Sequence, residues 1–155
     1  MENYFEKATV RKIISEPETA KYEKNLILFL NNRAAEGIDD NIRKGTIECF
    51  EHKNAKFEEN KEYLVKLRLL DYNIEKINSK EKKAIYIKHT PTSVNLYDIY
   101  GQIIDKVKNE VVVDCGFYVF ISDNKLKKGE WVKANGRLDV FLANQSNNNG
   151  GKNEV

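Results

Sequence analysis

Short apolar and alternating segments recur along the chain, separated by charged or glycine-containing turns, and helical periodicity is weak almost everywhere. Alternation with a period of two indicates a strand with one buried face, and many short strands at close spacing are typical of a barrel or sandwich. The pattern predicts strands over residues 8–14, 26–30, 45–50, 63–72, 84–89, 96–107, 111–114, 117–121 and 131–142.

The segments between these strands are polar. Pro17 lies in an acidic segment that predicts a turn, because proline fixes φ and lacks a backbone donor. Residues 31–44 are predicted to form a long loop, residues 55–60 one helical turn, and residues 73–83 a lysine-rich turn. Residues 89–93 mark the one internal boundary that the sequence indicates.

These boundaries predict the domain organisation. Residues 1–90 are expected to form an OB-like β-barrel, and residues 94–143 a second β-rich segment that packs on it or completes it. Gly101 and Gly116 suggest bulges or bends that let a sheet curl. Residues 144–155 are too rich in asparagine and too poor in apolar side chains to fold, which predicts a disordered tail. The predicted fold class is all-β with a minor helix: an OB-like five-stranded barrel with additional C-terminal strands, or two OB-like units.

Charge and cysteine usage narrow the function classes. The formal net charge of the 155 residues is only +2, so a polyanionic ligand would have to meet a local basic face. Cys49 and Cys115 lie in apolar runs, which predicts buried thiols in a reducing compartment. The N-terminus has no basic start followed by an apolar stretch, and the longest apolar run is too short to span a membrane. We therefore expect a cytoplasmic location and no membrane association.

The last predicted strand has two different faces. Its inward positions are small or aliphatic: Val132, Ala134, Gly136, Leu138, Val140 and Leu142. Its outward positions combine two large rings with two cations: Trp131, Lys133, Asn135, Arg137, Asp139 and Phe141. A base stacks on an aromatic ring while cations follow the phosphates, so this combination favours single-stranded nucleic acid. A solvated face over a second apolar layer explains the same residues without a ligand.

The predicted strand over residues 63–72 adds Lys66, Arg68 and Tyr72 to the outward set. Trp131, Phe141 and Tyr72 are the candidate stacking residues, while Lys66, Arg68, Lys133 and Arg137 are the candidate phosphate contacts.

The layout of the first ninety residues resembles the OB domain of bacterial single-stranded DNA-binding proteins. The matching segments are the strand over residues 8–14, the turn Ser15-Glu16-Pro17-Glu18, the apolar strand ending in Asn31-Asn32-Arg33, the strand Thr46-Ile47-Glu48-Cys49-Phe50, the segment Asn54-Ala55-Lys56-Phe57, and the strand that follows a charged turn within residues 58–70. The resemblance implies an OB fold that binds single-stranded DNA.

The same family often carries a Lys-Lys-Gly motif followed by Gly-Arg-Leu before its last strands. Lys127-Lys128-Gly129 and Gly136-Arg137-Leu138 match that motif, but they lie in the second half of the chain. One motif therefore has two candidate places, which leaves open whether the chain holds one barrel or two. The acidic C-terminal peptide of that family has no counterpart in residues 152–155.

No enzymatic motif stands out. The chain has two histidines, no phosphate loop, no dinucleotide fingerprint and no repeated metal-ligand spacing. We expect no catalytic residue, metal site or cofactor. Two other functions stay open besides nucleic-acid binding. One is a protein-binding module, such as a toxin-neutralising immunity protein or an inhibitor encoded by a mobile element, and the other is self-association through exposed edge strands.

Overall fold

The computed structural model describes residues 4–15, 24–31, 45–51, 56–87 and 96–143. The nine elements in these ranges are all strands. They are β1 (Glu6–Ser15), β2 (Lys24–Leu30), β3 (Thr46–Glu51), β4 (Glu62–Lys76), β5 (Lys83–Ile87), β6 (Leu96–Val107), β7 (Glu110–Asp114), β8 (Tyr118–Ser122) and β9 (Trp131–Leu142). Each corresponds to one of the strands that the alternation predicts.

Eight of these strands close into a barrel. β1 pairs with β2, β2 with β3, β3 with β9, β9 with β4, and β4 again with β1, which makes a first circuit of five strands. β4, β8, β7, β6 and β9 make a second circuit of five, and β5 is added at the outer edge of β6. The prediction of an all-β fold, built on a five-stranded barrel with additional strands, is confirmed.

β4 and β9 belong to both circuits because each changes its neighbour part-way along its length. The first half of β9 pairs with β6 up to Arg137, and Asp139 then pairs with Phe50 of β3. β4 pairs with β1 through Val65, and Arg68 then pairs with Phe120 of β8. The β4–β9 ladder therefore crosses the whole barrel and separates one circuit from the other.

A continuous core of aliphatic and aromatic side chains fills both circuits. Tyr97 of β6 links them from inside: its hydroxyl donates to the carbonyl of Glu48 at 2.7 Å and accepts from the amide of Glu48 at 2.8 Å. The ring of Tyr97 is fully buried, so these two bonds satisfy a hydroxyl that water does not reach.

The N-terminal segment before β1 lies on the second circuit. The Tyr4 ring meets the Tyr118 ring edge to face at 5.5 Å, and Phe5 lies 6.1 Å from Phe120. The Tyr4 hydroxyl donates to Asp105 at 2.7 Å. This segment covers Phe120, which has no exposed surface.

Two local predictions are wrong. Residues 56–60 form no helical turn, since Lys56 and Asn60 have positive φ and the Asn60 amide donates to the Val10 carbonyl. Residues 73–76, expected within a turn, continue strand β4 to Lys76. Four predictions fall outside the described residues: the turn around Pro17, most of the loop over 31–44, the boundary segment 89–93 and the tail at 144–155.

Candidate binding surfaces

Strand β9 has the two faces that its sequence predicts. Val132, Ala134, Gly136, Leu138 and Val140 are buried in the core. The alternate side chains point away from it, and Trp131 and Phe141 are half-buried rather than enclosed. Together with the outward residues of β4 they form what we call the β4–β9 face, consisting of Lys66, Arg68, Asn73, Glu75, Trp131, Lys133, Asn135, Arg137, Asp139 and Phe141.

Tyr72 does not lie on the β4–β9 face, although the alternation of β4 places it there. The register of the β4–β9 pair shifts between Leu70 and Asn73, so the strand bulges and its side chains change sides. Tyr72 packs against the core, and its hydroxyl donates to the carbonyl of Ser122. Gly136 lies opposite the bulge, where a β-carbon would come within 3.0 Å of the Tyr72 β-carbon.

Lys66 and Arg68 are both engaged by one carboxylate. Lys66 Nζ lies 3.0 Å from Glu110 Oε1, and Arg68 Nη2 lies 2.5 Å from Glu110 Oε2. The Lys66 ammonium also lies 4.4 Å from the centroid of the Phe120 ring. The Glu110 side chain is only 14% exposed, so this ion-pair cluster is partly shielded from solvent. The cluster lies where β4 stops pairing with β1 and starts pairing with β8.

Arg137 occupies the corresponding point on the other side of the ladder, where β3 and β6 diverge from β9. Its Nε and Nη2 donate to Asp139 at 2.7 and 3.0 Å, in a bidentate pair. Its guanidinium group lies 4.5 Å from the centroid of Phe50. Because Asp139 is only 1% exposed, Arg137 neutralises a buried charge and covers a ring at the same time.

Lys133 has a different environment. It pairs across the ladder with Tyr100 of β6, which pairs in turn with Lys83 of β5. The Lys83 and Lys133 ammonium groups lie 4.6 and 5.5 Å from the centroid of the Tyr100 ring. Lys83 also meets Glu81 at 2.7 Å, with both side chains well exposed. Trp131 is in the neighbouring row, opposite Gln102.

The outward residues of β1 and β2 form a second face that the sequence analysis missed. We call it the β1–β2 face, and it consists of Lys7, Thr9, Arg11, Lys12, Ile27 and Phe29. The Arg11 guanidinium lies 5.0 Å from the centroid of the half-buried Phe29 ring. Lys7, Arg11 and Lys12 are exposed, and among the described residues no carboxylate forms an ion pair with any of them.

Two features of the sequence concealed this face. Residues 26–30 are all apolar, which is typical of a strand buried on both sides, yet Ile27 and Phe29 point outward. In β1 the register shifts between Val10 and Lys12, so alternation does not assign Arg11 to a side. The adjacent cations Arg11 and Lys12 in an otherwise alternating strand were the one available signal.

The two cysteines are buried in the core. Burial raises the pKa of the Cys115 thiol to about 12 and that of Cys49 well above its usual value, so both are protonated at neutral pH. The neighbouring carboxylate of Asp114 accepts from the Gly116 amide at 3.0 Å and binds Lys82 at 3.0 Å. Asp114 therefore stabilises the β7–β8 turn, and Cys115 packs in the core beside it.

Among the described residues, no three His, Cys, Asp or Glu side chains are grouped closely enough to hold a metal ion. No helix there is long and apolar enough to cross a membrane.

Comparison of the chain with protein-family models, with curated proteins and with solved structures finds no match, so the resemblance to single-stranded DNA-binding proteins stays a prediction.

Proposed function

We propose that this protein is a non-enzymatic binding protein that holds single-stranded nucleic acid on its β1–β2 face. The observation that carries the proposal is the position of Arg11, whose guanidinium stacks over Phe29 between two further exposed cations. The Phe29 ring offers a stacking surface to a base. Among the described residues, no carboxylate forms an ion pair with these cations, so phosphate binding would break no such pair there.

The magnitudes agree with a binder of moderate affinity. Stacking of one base on a protein aromatic ring contributes roughly 1–3 kcal/mol. Three phosphate contacts release counterions, so the logarithm of the affinity would fall with the logarithm of salt concentration with a slope of about −2. The net charge of the whole chain adds little to this, because it is only +2.

The predicted cations of the β4–β9 face are weaker candidates for the primary site. Lys66 and Arg68 share Glu110, and Arg137 is committed to Asp139. A phosphate that displaced these carboxylates would leave Asp139 or Glu110 poorly compensated where solvent is largely excluded. The β1–β2 face, whose cations have no carboxylate partner among the described residues, is therefore the better primary site.

The test is an anisotropy titration of a labelled single strand of about 6 nucleotides at low salt. Phe29→Ala and Arg11→Gln should each weaken binding by about tenfold, the equivalent of one lost stacking or phosphate contact. Lys108→Gln removes the same charge from the exposed β6–β7 turn and should leave the affinity unchanged. Equal effects of Arg11→Gln and Lys108→Gln would argue against a local site.

One observation favours a protein-binding module as a second candidate function. The β4–β9 face carries side chains of both charges, and Trp131, Arg137 and Phe141 supply residue types that are common at protein interfaces. An immunity protein that neutralises a toxin, or an inhibitor from a mobile element, would use such a face. A co-purifying protein partner should then be lost with Trp131→Ala and retained with Phe29→Ala, and the single strand should not bind.

A further inference from the structure

The second circuit repeats the combination of ring and cations that carries the proposed function. Lys83, Tyr100 and Lys133 are cross-strand partners in one row over β5, β6 and β9. The two ammonium groups lie 4.6 and 5.5 Å from the centroid of the Tyr100 ring. We call this row, together with Trp131 and Gln102 beside it, the Tyr100 row.

The Tyr100 row is rich in hydrogen-bond donors. The two ammonium groups flank a phenol, and the indole of Trp131 lies one row away. Glu81 competes for Lys83 at 2.7 Å, but both side chains are about two-fifths exposed, so this ion pair is weak. Glu75 pairs with Lys133 across the ladder and ends the row on the β4 side.

The outward surface between the two faces is continuous. Phe29 pairs with Thr46 at the start of β3, and Phe50 near the end of β3 lies under the Arg137 guanidinium. From Arg137, β9 runs back through Lys133 to its first residue, Trp131, a distance of roughly 20 Å for six residues. Three acids lie along this path: Glu48 is between Thr46 and Phe50 on the outward side of β3, Asp98 pairs with Asn135, and Asp139 is buried and bound to Arg137.

We infer that the Tyr100 row is a second contact for the same nucleic-acid strand, reached only by strands longer than the β1–β2 face holds. This inference rests on the proposed function and adds its substrate class: long single strands rather than short ones. Arg137 over Phe50 is the bridge between the two contacts. Trp131, the one tryptophan of the chain, reports on the second contact.

The experiment compares strands of about 6 and about 20 nucleotides, read by anisotropy and by Trp131 emission. The short strand should bind without changing Trp131 emission. The long strand should bind at least about tenfold more tightly and quench Trp131, as one further stacked base would produce. The double variant Lys83→Gln and Lys133→Gln should lose this advantage of length and keep the short-strand affinity.

The matched control is Lys106→Gln with Lys108→Gln, which removes two charges from the far end of β6 and should keep the advantage of length. If both strands bind the native protein equally, or if the two double variants behave alike, the inference is overturned while the β1–β2 site stands. If neither strand binds the native protein, the proposed function fails and the inference fails with it, which is the result that a protein partner predicts.

Discussion

The guanidinium group of Arg137 lies 4.5 Å from the centroid of the Phe50 ring, at the point where the edge of β9 opposite β4 stops pairing with β6 and starts pairing with β3. Arg137 also holds the nearly inaccessible carboxylate of Asp139 through two hydrogen bonds. The residue therefore stabilises the junction of the two circuits as well as lying between the two proposed contacts.

Replacing Arg137 with alanine should destabilise the fold. Arg137→Ala removes both hydrogen bonds to a buried carboxylate, and we expect a loss of about 2–3 kcal/mol in the free energy of unfolding measured with urea. Arg11→Ala is the matched control, because Arg11 also lies over a phenylalanine but has no carboxylate partner among the described residues. It should cost less than about 1 kcal/mol. Equal losses for the two variants would show that the Asp139 pair adds nothing.

Gly136 should not tolerate a side chain. A β-carbon there would lie 2.7 Å from the Leu70 carbonyl oxygen and 3.0 Å from Leu69 Cγ, both at the β4 bulge. Gly136→Ala is expected to cost about 1–3 kcal/mol, because backbone atoms cannot move aside cheaply. Asn135→Ala, on the exposed side of the same strand, should change stability by less than about 0.5 kcal/mol. A neutral Gly136→Ala would mean that the bulge accommodates a methyl group and is not tightly packed against Gly136.

Acid should loosen the N-terminal segment. The hydrogen bond from Tyr4, with that from the Lys106 amide, lowers the pKa of Asp105. A carboxyl with a lowered pKa in the folded state stabilises the fold above its unfolded pKa of about 3.9 and loses this contribution as pH falls through the folded pKa.

The comparison of native protein with Tyr4→Phe isolates this effect, because the variant keeps the ring and removes the hydroxyl. The difference in Tm between the two proteins should shrink as pH falls through the acid range. A difference in Tm that is independent of pH would contradict a role for the Tyr4–Asp105 bond.

Both thiols should be unreactive in the folded protein. Burial raises the pKa of Cys115 to about 12 and also raises that of Cys49, so at pH 8 neither supplies thiolate at the surface. Ellman's reagent should label no thiol rapidly in the folded protein and should label two thiols in denaturant. Fast labelling of one native thiol would indicate an accessible, activated cysteine and reopen the enzymatic interpretation.

Much of the fold could be predicted from alternation, because one face of each strand is buried. β6 and β9 have the predicted bounds, and the inward set of β9 from Val132 to Val140 is the observed one. Tyr72 could not be placed, because a bulge reverses the sides of β4 without any local signal in the sequence. Pairings such as Phe50 with Asp139 are non-local, so nothing near either residue predicts that β9 serves both circuits.

The candidate site was harder to predict than the fold, because alternation finds exposed residues but not their partners. Lys66 and Arg68 were correctly expected to point outward. Both form ion pairs with Glu110, which lies about forty residues further along the sequence and could not be identified as their partner. The β1–β2 face was missed because Phe29 lies in an uninterrupted apolar run.

The salt dependence of short-strand binding is the most direct measurement of the proposed function. For the native protein, log affinity against log salt should have a slope of about −2, and Arg11→Gln with Lys12→Gln should reduce its magnitude by about 1.4. A slope near zero, or one that changes as much with Lys106→Gln and Lys108→Gln, would contradict phosphate binding on the β1–β2 face.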